Sequence, residues 1–113
     1  MEYRMDMRIP LRTPVLLVSR QGHLDGETLD LSFEGAKVRL SGEPEAAVAV
    51  GETVRLHLDP EHHTMSLPAR VARREDGTVG LAFGQYAAPV EAYLGELIAG
   101  FLSHRQNGGQ RGP

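Results

Sequence analysis

Two groups of polar side chains near the start of the chain have the types and spacing needed to bind an anionic nucleotide. Arg4 and Arg8 are four residues apart, so they share a face in an extended or a helical arm. Asp30 and Ser32 are two residues apart, so they share a face in a strand. An arginine fork matches the O6 and N7 acceptors of guanine and also phosphate oxygens, whereas a carboxylate accepts from guanine N–H groups. The complementary ligand is an anionic guanine nucleotide.

Each group alone also has a simpler interpretation. Arginines near a terminus are usually solvated, and an Asp–x–Ser sequence before a glycine, as in residues 30–35, is a common turn signature. It is the combination of the two groups, in this order along the chain, that favours a binding site.

Histidines near the middle of the chain form a weaker candidate site. His62 and His63 are adjacent, with His57 and Glu61 nearby, but adjacent side chains in a strand point to opposite faces. A polar hairpin turn is therefore favoured over a metal site. The sequence contains no nucleophile elbow, phosphate-binding loop or dinucleotide fingerprint, so we predict a protein that is not an enzyme and has no cofactor and no metal.

Composition limits the class of protein. A chain of 113 residues with 41% hydrophobic and 24% charged residues is typical of one soluble globular domain. The absence of cysteine excludes disulfides and thiolate metal sites. No apolar run approaches the roughly 20 residues of a membrane span, so we predict no membrane insertion and a cytoplasmic location. The net charge of −3 argues against nucleic acid as a partner.

Alternating hydrophobic residues predict the elements that must position these side chains. Short strands are predicted over residues 14–19, 27–32, 35–40, 53–58, 65–71 and 79–83. Leu29 and Leu31 are expected to face the core, and Gly35 is expected to allow a positive φ in a hairpin. After Pro89, apolar residues recur at intervals of three and four, which predicts a helix that covers a small antiparallel barrel or sandwich.

These motifs together resemble the PilZ domain family, whose members are six-stranded antiparallel β-barrels that bind the bacterial second messenger cyclic di-GMP. The family signature is R-x-x-x-R in an N-terminal arm, followed by [D/N]-x-S-x-x-G. The sequence RMDMR at residues 4–8 and the sequence DLSFEG at residues 30–35 match it. The sequence GLAF at residues 80–83 is similar to the late strand of the family, and the C-terminal helix also matches.

The resemblance assigns five residues to a cyclic di-GMP site: Arg4, Arg8, Asp30, Ser32 and Gly35. It implies that the two arginines hold guanine edges and phosphates and that Asp30 reads a guanine. Ser32 would add a hydrogen bond, and Gly35 would shape the turn so that the ligand approaches the backbone.

The resemblance also implies a domain organisation. Residues 1–12 would form the ligand-binding arm, and residues 13–104 a mainly β PilZ barrel with its closing helix at about 89–104. Residues 105–113 have nothing to bury and are expected to be a disordered tail. An arm that is loose without ligand and clamped with it would convert binding into a new surface.

The implied function is a cyclic di-GMP receptor that changes conformation and regulates an unidentified downstream protein, with motility, exopolysaccharide or biofilm as the output. The number of ligand molecules in the site, one or two, stays open. The first alternative is a PilZ-like protein-interaction adaptor that does not bind nucleotide. A nucleic-acid-binding barrel is disfavoured by the acidic charge and the 5% aromatic content.

Overall fold

The structure is a computed structural model that describes residues 8–42 and 48–111, with the backbone alone described over 104–111. The described residues form six strands and one helix. The strands are β1 (Pro14–Ser19), β2 (Gly22–Leu31), β3 (Gly35–Leu40), β4 (Thr53–Leu58), β5 (Ser66–Glu75) and β6 (Thr78–Phe83), and the helix is α1 (Ala88–Arg111).

The six strands close into an antiparallel barrel in the order β1-β2-β3-β6-β5-β4, and β4 pairs back onto β1. This confirms the predicted fold class, a small mainly β barrel with a C-terminal helix. β2 is longer than predicted because its pairing with β1 continues until Ser19 lies opposite Gly22. β5 likewise continues to Glu75, opposite Thr78. Backbone hydrogen bonds to a neighbouring strand therefore impose strand geometry on residues whose side chains are polar.

The inward-facing residues of each strand fill the barrel. In β3 the predicted alternation is present, since Ala36, Val38 and Leu40 are buried while Lys37 and Arg39 reach the outer surface. Within the described residues, no buried side-chain nitrogen or oxygen lacks a hydrogen-bond partner. The core is thus apolar, and the polar groups that enter it are satisfied.

Helix α1 packs one apolar stripe against the barrel. Val90, Leu94 and Ile98 are buried in the same core cluster as the strand residues. Gly95 lies beside the Phe33 ring, since a Cβ added there would be in ordinary van der Waals contact with the ring, at 3.8 Å. The helix is therefore fixed next to the turn that follows β2.

The length of α1 differs from the expectation. The sequence predicts a helix over about 89–104 and a disordered tail over 105–113, whereas α1 is Ala88–Arg111. Residues 112–113 lie outside the described residues. No helix in the described part of the chain has the length and apolar character needed to cross a bilayer.

A β-bulge in β2 changes which of its side chains face the core. The pairing with β3 skips from Thr28 to Asp30, so Leu29 is the extra residue. Thr28 and Leu31 are both fully buried, whereas Leu29 is only partly buried. The prediction that Leu29 faces the core is therefore wrong, because strict alternation assumes an uninterrupted ladder.

Gly35 begins β3, and its role differs from the prediction. It is not among the glycines with a positive φ. A Cβ at Gly35 would instead collide with the carbonyl oxygen of Leu81 on the neighbouring strand β6. The requirement for glycine comes from the close approach of two backbones and not from a left-handed turn conformation.

The segment before β1 is attached to β2 by an isolated β-bridge. The Ile9 N–H donates to the Leu31 carbonyl and the Leu31 N–H donates to the Ile9 carbonyl, each at 2.9 Å. The Ile9 side chain is buried in the core. The arm predicted over residues 1–12 is therefore part of the folded body from Ile9 onward.

Thr28 provides a second attachment for the same segment. Its Oγ1 accepts from the Thr13 N–H at 2.9 Å and donates to the Leu11 carbonyl at 2.6 Å. The Thr28 N–H also donates to the Thr13 carbonyl at 2.9 Å. Because Thr28 is fully buried, these hydrogen bonds satisfy a polar side chain inside the core.

Thr28→Val tests this attachment, since it keeps the side-chain shape and removes the bridging hydroxyl. Two backbone groups then lose their partner, so the free energy of unfolding should fall by about 1–3 kcal/mol in urea denaturation. Thr53→Val is the matched control, because Thr53 is an exposed residue at the start of β4. A loss of the same size in both variants would contradict the role given to the Thr28 hydroxyl.

Two glycine substitutions should have opposite effects on stability. Gly35→Ala forces a Cβ into the Leu81 carbonyl, and overpacking of this kind typically costs about 1–3 kcal/mol. Gly100→Ala meets open space in α1 and replaces a helix-interior glycine, so it should stabilise by about 0.5–1 kcal/mol. Thermal denaturation measures both effects. Melting temperatures that shifted in the same direction in the two variants would refute this interpretation.

Candidate functional site

Arg8 and Asp30 meet on the outer surface of the barrel. The Arg8 Nη1 donates to the Asp30 Oδ1 at 2.7 Å, and the two side chains are 51% and 28% exposed. The same Oδ1 accepts from the backbone N–H of Lys37 at 3.0 Å. The fold thus brings together two residues that are 22 positions apart in sequence and leaves both open to solvent.

The bridge between Ile9 and Leu31 sets the geometry of this pair. Neighbouring residues in extended backbone point to opposite faces. Because Ile9 and Leu31 are buried, Arg8 and Asp30 are directed to the outer surface. The hydrogen bond from the β3 backbone then holds the Asp30 carboxylate against the barrel wall.

Ser32 lies in the turn between β2 and β3 and is only 2% exposed. Its Oγ accepts from the N–H groups of Glu34 and Gly35, each at 3.1 Å, and donates to the Gly35 carbonyl at 3.2 Å. The prediction that Ser32 shares a face with Asp30 is wrong, because β2 ends at Leu31 and the chain turns there. In this structure the hydroxyl stabilises the turn that connects Asp30 to Gly35.

Gly35 is buried beside the Arg8 guanidinium at this surface. A Cβ added to Gly35 would lie 3.6 Å from the Arg8 Nη2. The guanidinium therefore contacts Asp30 on one side and lies over Gly35 on the other. The glycine that permits the approach of β6 also leaves this surface free of a side chain.

The structure describes four of the five predicted site residues. Arg8 and Asp30 meet at the surface, Gly35 lies buried beside Arg8, and Ser32 holds the turn between Asp30 and Gly35. Arg4 belongs to residues 1–7, which lie outside the described residues.

A surface cleft beside Arg8 contains two cations that the sequence analysis did not assign to the site. The cleft has a volume of about 270 Å³, and Arg8, Lys37 and Arg73 are among its lining residues. Lys37 lies opposite both Asp30 and Gly80, and Gly80 lies opposite Arg73, so these residues form one row across four strands. The alternation of β3 already indicated an outward Lys37. The position of Arg73 depends on a bulge in β5, and no pattern in the sequence indicated it.

The histidines near the β4–β5 turn make contacts within the fold. The Nδ1 of His62 lies 2.9 Å from the Asp59 Oδ1, and this hydrogen bond raises the pKa of His62. The His63 ring lies 4.7 Å from the Tyr93 ring of α1, which links the turn to the helix. Burial lowers the pKa of His57. Across residues 8–42 and 48–103, no group of three or more His, Asp or Glu side chains is arranged to hold a metal ion.

Comparison with known proteins identifies similar domains. The family model of the PilZ domain matches residues 2–100. Among solved structures, the PilZ domain of CeSA from a cellulose-synthesizing bacterium is 27% identical, with a TM-score of 0.66 over 84% of this chain and 97% of that chain. MotI (DgrA), the Bacillus subtilis inhibitor of motility, is 23% identical, with a TM-score of 0.65 over 85% of this chain and 49% of that chain.

A third similar structure is that of an uncharacterized Legionella protein, which is 17% identical, with a TM-score of 0.54 over 89% of this chain and 99% of that chain. No curated protein sequence matches this chain. The two more distant structures support the fold alone, whereas the family model spans the barrel and the positions of Arg8, Asp30 and Gly35. The chain therefore belongs to the PilZ domain family.

Proposed function

We propose that this PilZ domain is a cyclic di-GMP receptor that regulates a partner protein. The observation that carries the proposal is the exposed ion pair between Arg8 and Asp30, with 2.7 Å between Nη1 and Oδ1. A cationic fork and a carboxylate acceptor at one surface position are complementary to a ligand that has both guanine edges and phosphates.

Each side chain has a defined role in the proposed complex. The Arg8 guanidinium donates two parallel hydrogen bonds to guanine O6 and N7 or to phosphate oxygens. Asp30 accepts from the ring N–H and the amino group of guanine. Both described hydrogen bonds to this carboxylate fall on Oδ1, so within the described residues Oδ2 is open to a donor from the ligand.

The remaining site residues act around this pair. Ser32 holds the turn, so that the position of Asp30 does not depend on a mobile loop. Gly35 places no side chain beside the Arg8 guanidinium, so that the guanidinium can lie close to the barrel wall where the ligand is proposed to bind. Arg4 is proposed to supply a second cationic fork from the arm.

The expected free energy of binding is consistent with micromolar affinity for the ligand. Four or five hydrogen bonds to charged groups contribute about 6–15 kcal/mol in total, at roughly 1.5–3 kcal/mol each. Association and ordering cost at least about 4 kcal/mol. The remaining favourable free energy is at most about 2–11 kcal/mol, a range that includes the roughly 8 kcal/mol of a micromolar complex. No single contact is sufficient, so the loss of one should be measurable.

The proposed output is regulation of a downstream protein rather than catalysis, with motility, exopolysaccharide production or biofilm formation as the process controlled. The PilZ domain of CeSA, at 27% identity, comes from a cellulose-synthesizing bacterium. The N-terminal segment is attached to the barrel at Ile9, and Arg8, the preceding residue, is proposed to bind the ligand. Ligand binding can therefore be coupled to the position of this segment.

Arg8→Ala should weaken cyclic di-GMP binding by about 1.5–3 kcal/mol, because a hydrogen bond to a charged group is lost. Isothermal titration calorimetry measures the change. Arg12→Ala is the matched control, since Arg12 forms a similar exposed ion pair with Glu27, with 2.8 Å between Nη1 and Oε2. That pair also joins the N-terminal segment to β2 but lies outside the signature motifs.

The control separates loss of a ligand contact from loss of a surface ion pair. We expect Arg12→Ala to bind with the affinity of the wild type. Equal weakening in both variants would show that the arginines act through the attachment of the segment. An absence of binding by the wild-type protein would favour the nucleotide-independent adaptor.

Amide hydrogen exchange tests the proposed conformational change. With saturating cyclic di-GMP, amides in residues 2–8 should exchange more slowly, because Arg4 and Arg8 are proposed to hold the ligand. The Ile9 and Leu31 amides are already bonded to each other's carbonyls and serve as internal controls with little expected change. Identical exchange in residues 2–8 with and without the ligand would refute the clamp.

A further inference from the structure

The cleft next to the Arg8–Asp30 pair contains positive charge that the pair does not neutralise. In that pair, the guanidinium and the carboxylate cancel each other's charge. Cyclic di-GMP carries two phosphodiesters, each with one negative charge. If the Arg8–Asp30 pair were the whole site within the described residues, the phosphates would therefore have no cation to balance their charge.

Lys37 and Arg73 provide this charge on the wall shared with Arg8. The three cations line one cleft, and Glu34 is the acidic residue among its lining residues. Within the described part of the chain, neither the Lys37 ammonium nor the Arg73 guanidinium has a hydrogen bond or an ion pair. This local excess of positive charge contrasts with the net charge of −3 for the whole chain.

The pairing of β5 with β6 places the Arg73 side chain close against β6 in the cleft. Arg73 lies opposite Gly80 in the β5–β6 ladder. A Cβ added to Gly80 would lie 3.1 Å from the Arg73 Cγ and 3.2 Å from its Nε, so the arginine passes directly over the glycine. Its side chain therefore crosses β6 towards β3, where Lys37 lies opposite the same glycine.

We propose that Lys37 and Arg73 form a phosphate-binding extension of the site, which holds a phosphodiester of the ligand whose guanine contacts Arg8 and Asp30. This inference rests on the proposed function and adds two binding residues to it. Gly80 has a positioning role, because its missing side chain lets Arg73 lie flat against β6. The arginine is the stronger contact of the two, since its planar fork matches two phosphate oxygens.

The test is calorimetric titration of cyclic di-GMP into the full chain and its variants. Arg73→Ala and Lys37→Ala should each weaken binding by about tenfold or more, the effect of losing one hydrogen bond to a charged group. Arg55→Ala is the control, because Arg55 is an exposed arginine on β4 and does not line this cleft. It should bind as the wild type does. Melting temperatures of all variants check that the barrel is intact.

Salt dependence distinguishes a phosphate contact from stacking on a base. Added salt screens exposed charges, so binding by the wild type should weaken with ionic strength more steeply than binding by Arg73→Ala. Parallel salt dependences would overturn the phosphate assignment. Gly80→Ala provides a second test, since the added Cβ displaces Arg73 without removing its charge, and it should also weaken binding.

The outcomes separate this inference from the proposed function. If the wild type binds and Arg8→Ala weakens binding, but Arg73→Ala and Lys37→Ala match Arg55→Ala, the extension is wrong and the receptor function stands. If the wild type does not bind cyclic di-GMP, both proposals fail. If Arg8→Ala weakens binding, and the Arg73 and Lys37 variants also lose affinity and salt sensitivity while Arg55→Ala does not, the extension is supported.

Discussion

The pair of backbone hydrogen bonds between Ile9 and Leu31 is the constraint on which the candidate site depends. It attaches the N-terminal segment to β2 at the residue before the turn, and both side chains at the bridge enter the core. Because extended backbone alternates between faces, the adjacent Arg8 and Asp30 are directed outward to the same position. Without this bridge, an arginine near the terminus would be one more solvated side chain, and the carboxylate would have no fixed cation beside it.

The outer surface around the pair is shaped by residues that have no side chain. Gly35 accommodates the Leu81 carbonyl of β6, and Gly80 lets Arg73 cross the same strand. The close approach of a backbone therefore requires glycine at position 35, whereas Gly80 gives the Arg73 side chain room to lie against β6. The result is a smooth wall between cations, which suits a ligand that presents flat bases and phosphates instead of a bulky apolar group.

The charges of the site divide naturally between two tasks. The Arg8–Asp30 pair is neutral overall and offers directional donors and acceptors, which in the proposed complex recognise a base edge. The Lys37 ammonium and the Arg73 guanidinium have no hydrogen bond or ion pair within the described residues, so each offers charge that would suit phosphate. Arg8 immediately precedes the anchored Ile9. A ligand bound by Arg8 would therefore act on the segment that precedes the barrel. Regulation of a partner through that segment is the corresponding proposal.

The sequence by itself determined the strands and the helix, because alternation in strands such as β3 and the spacing of Val90, Leu94 and Ile98 are local patterns of burial. These patterns left a barrel and a sandwich open, and the choice of a barrel came from the family resemblance. It also indicated the residue types of the site. Only the tertiary structure decided that Ser32 faces into the turn, that Gly35 accommodates a neighbouring strand, and that the row from Asp30 reaches β5. The physical reason is that bulges, strand register and the close approach of two backbones depend on the partner strand. A local pattern of side chains carries no information about that strand.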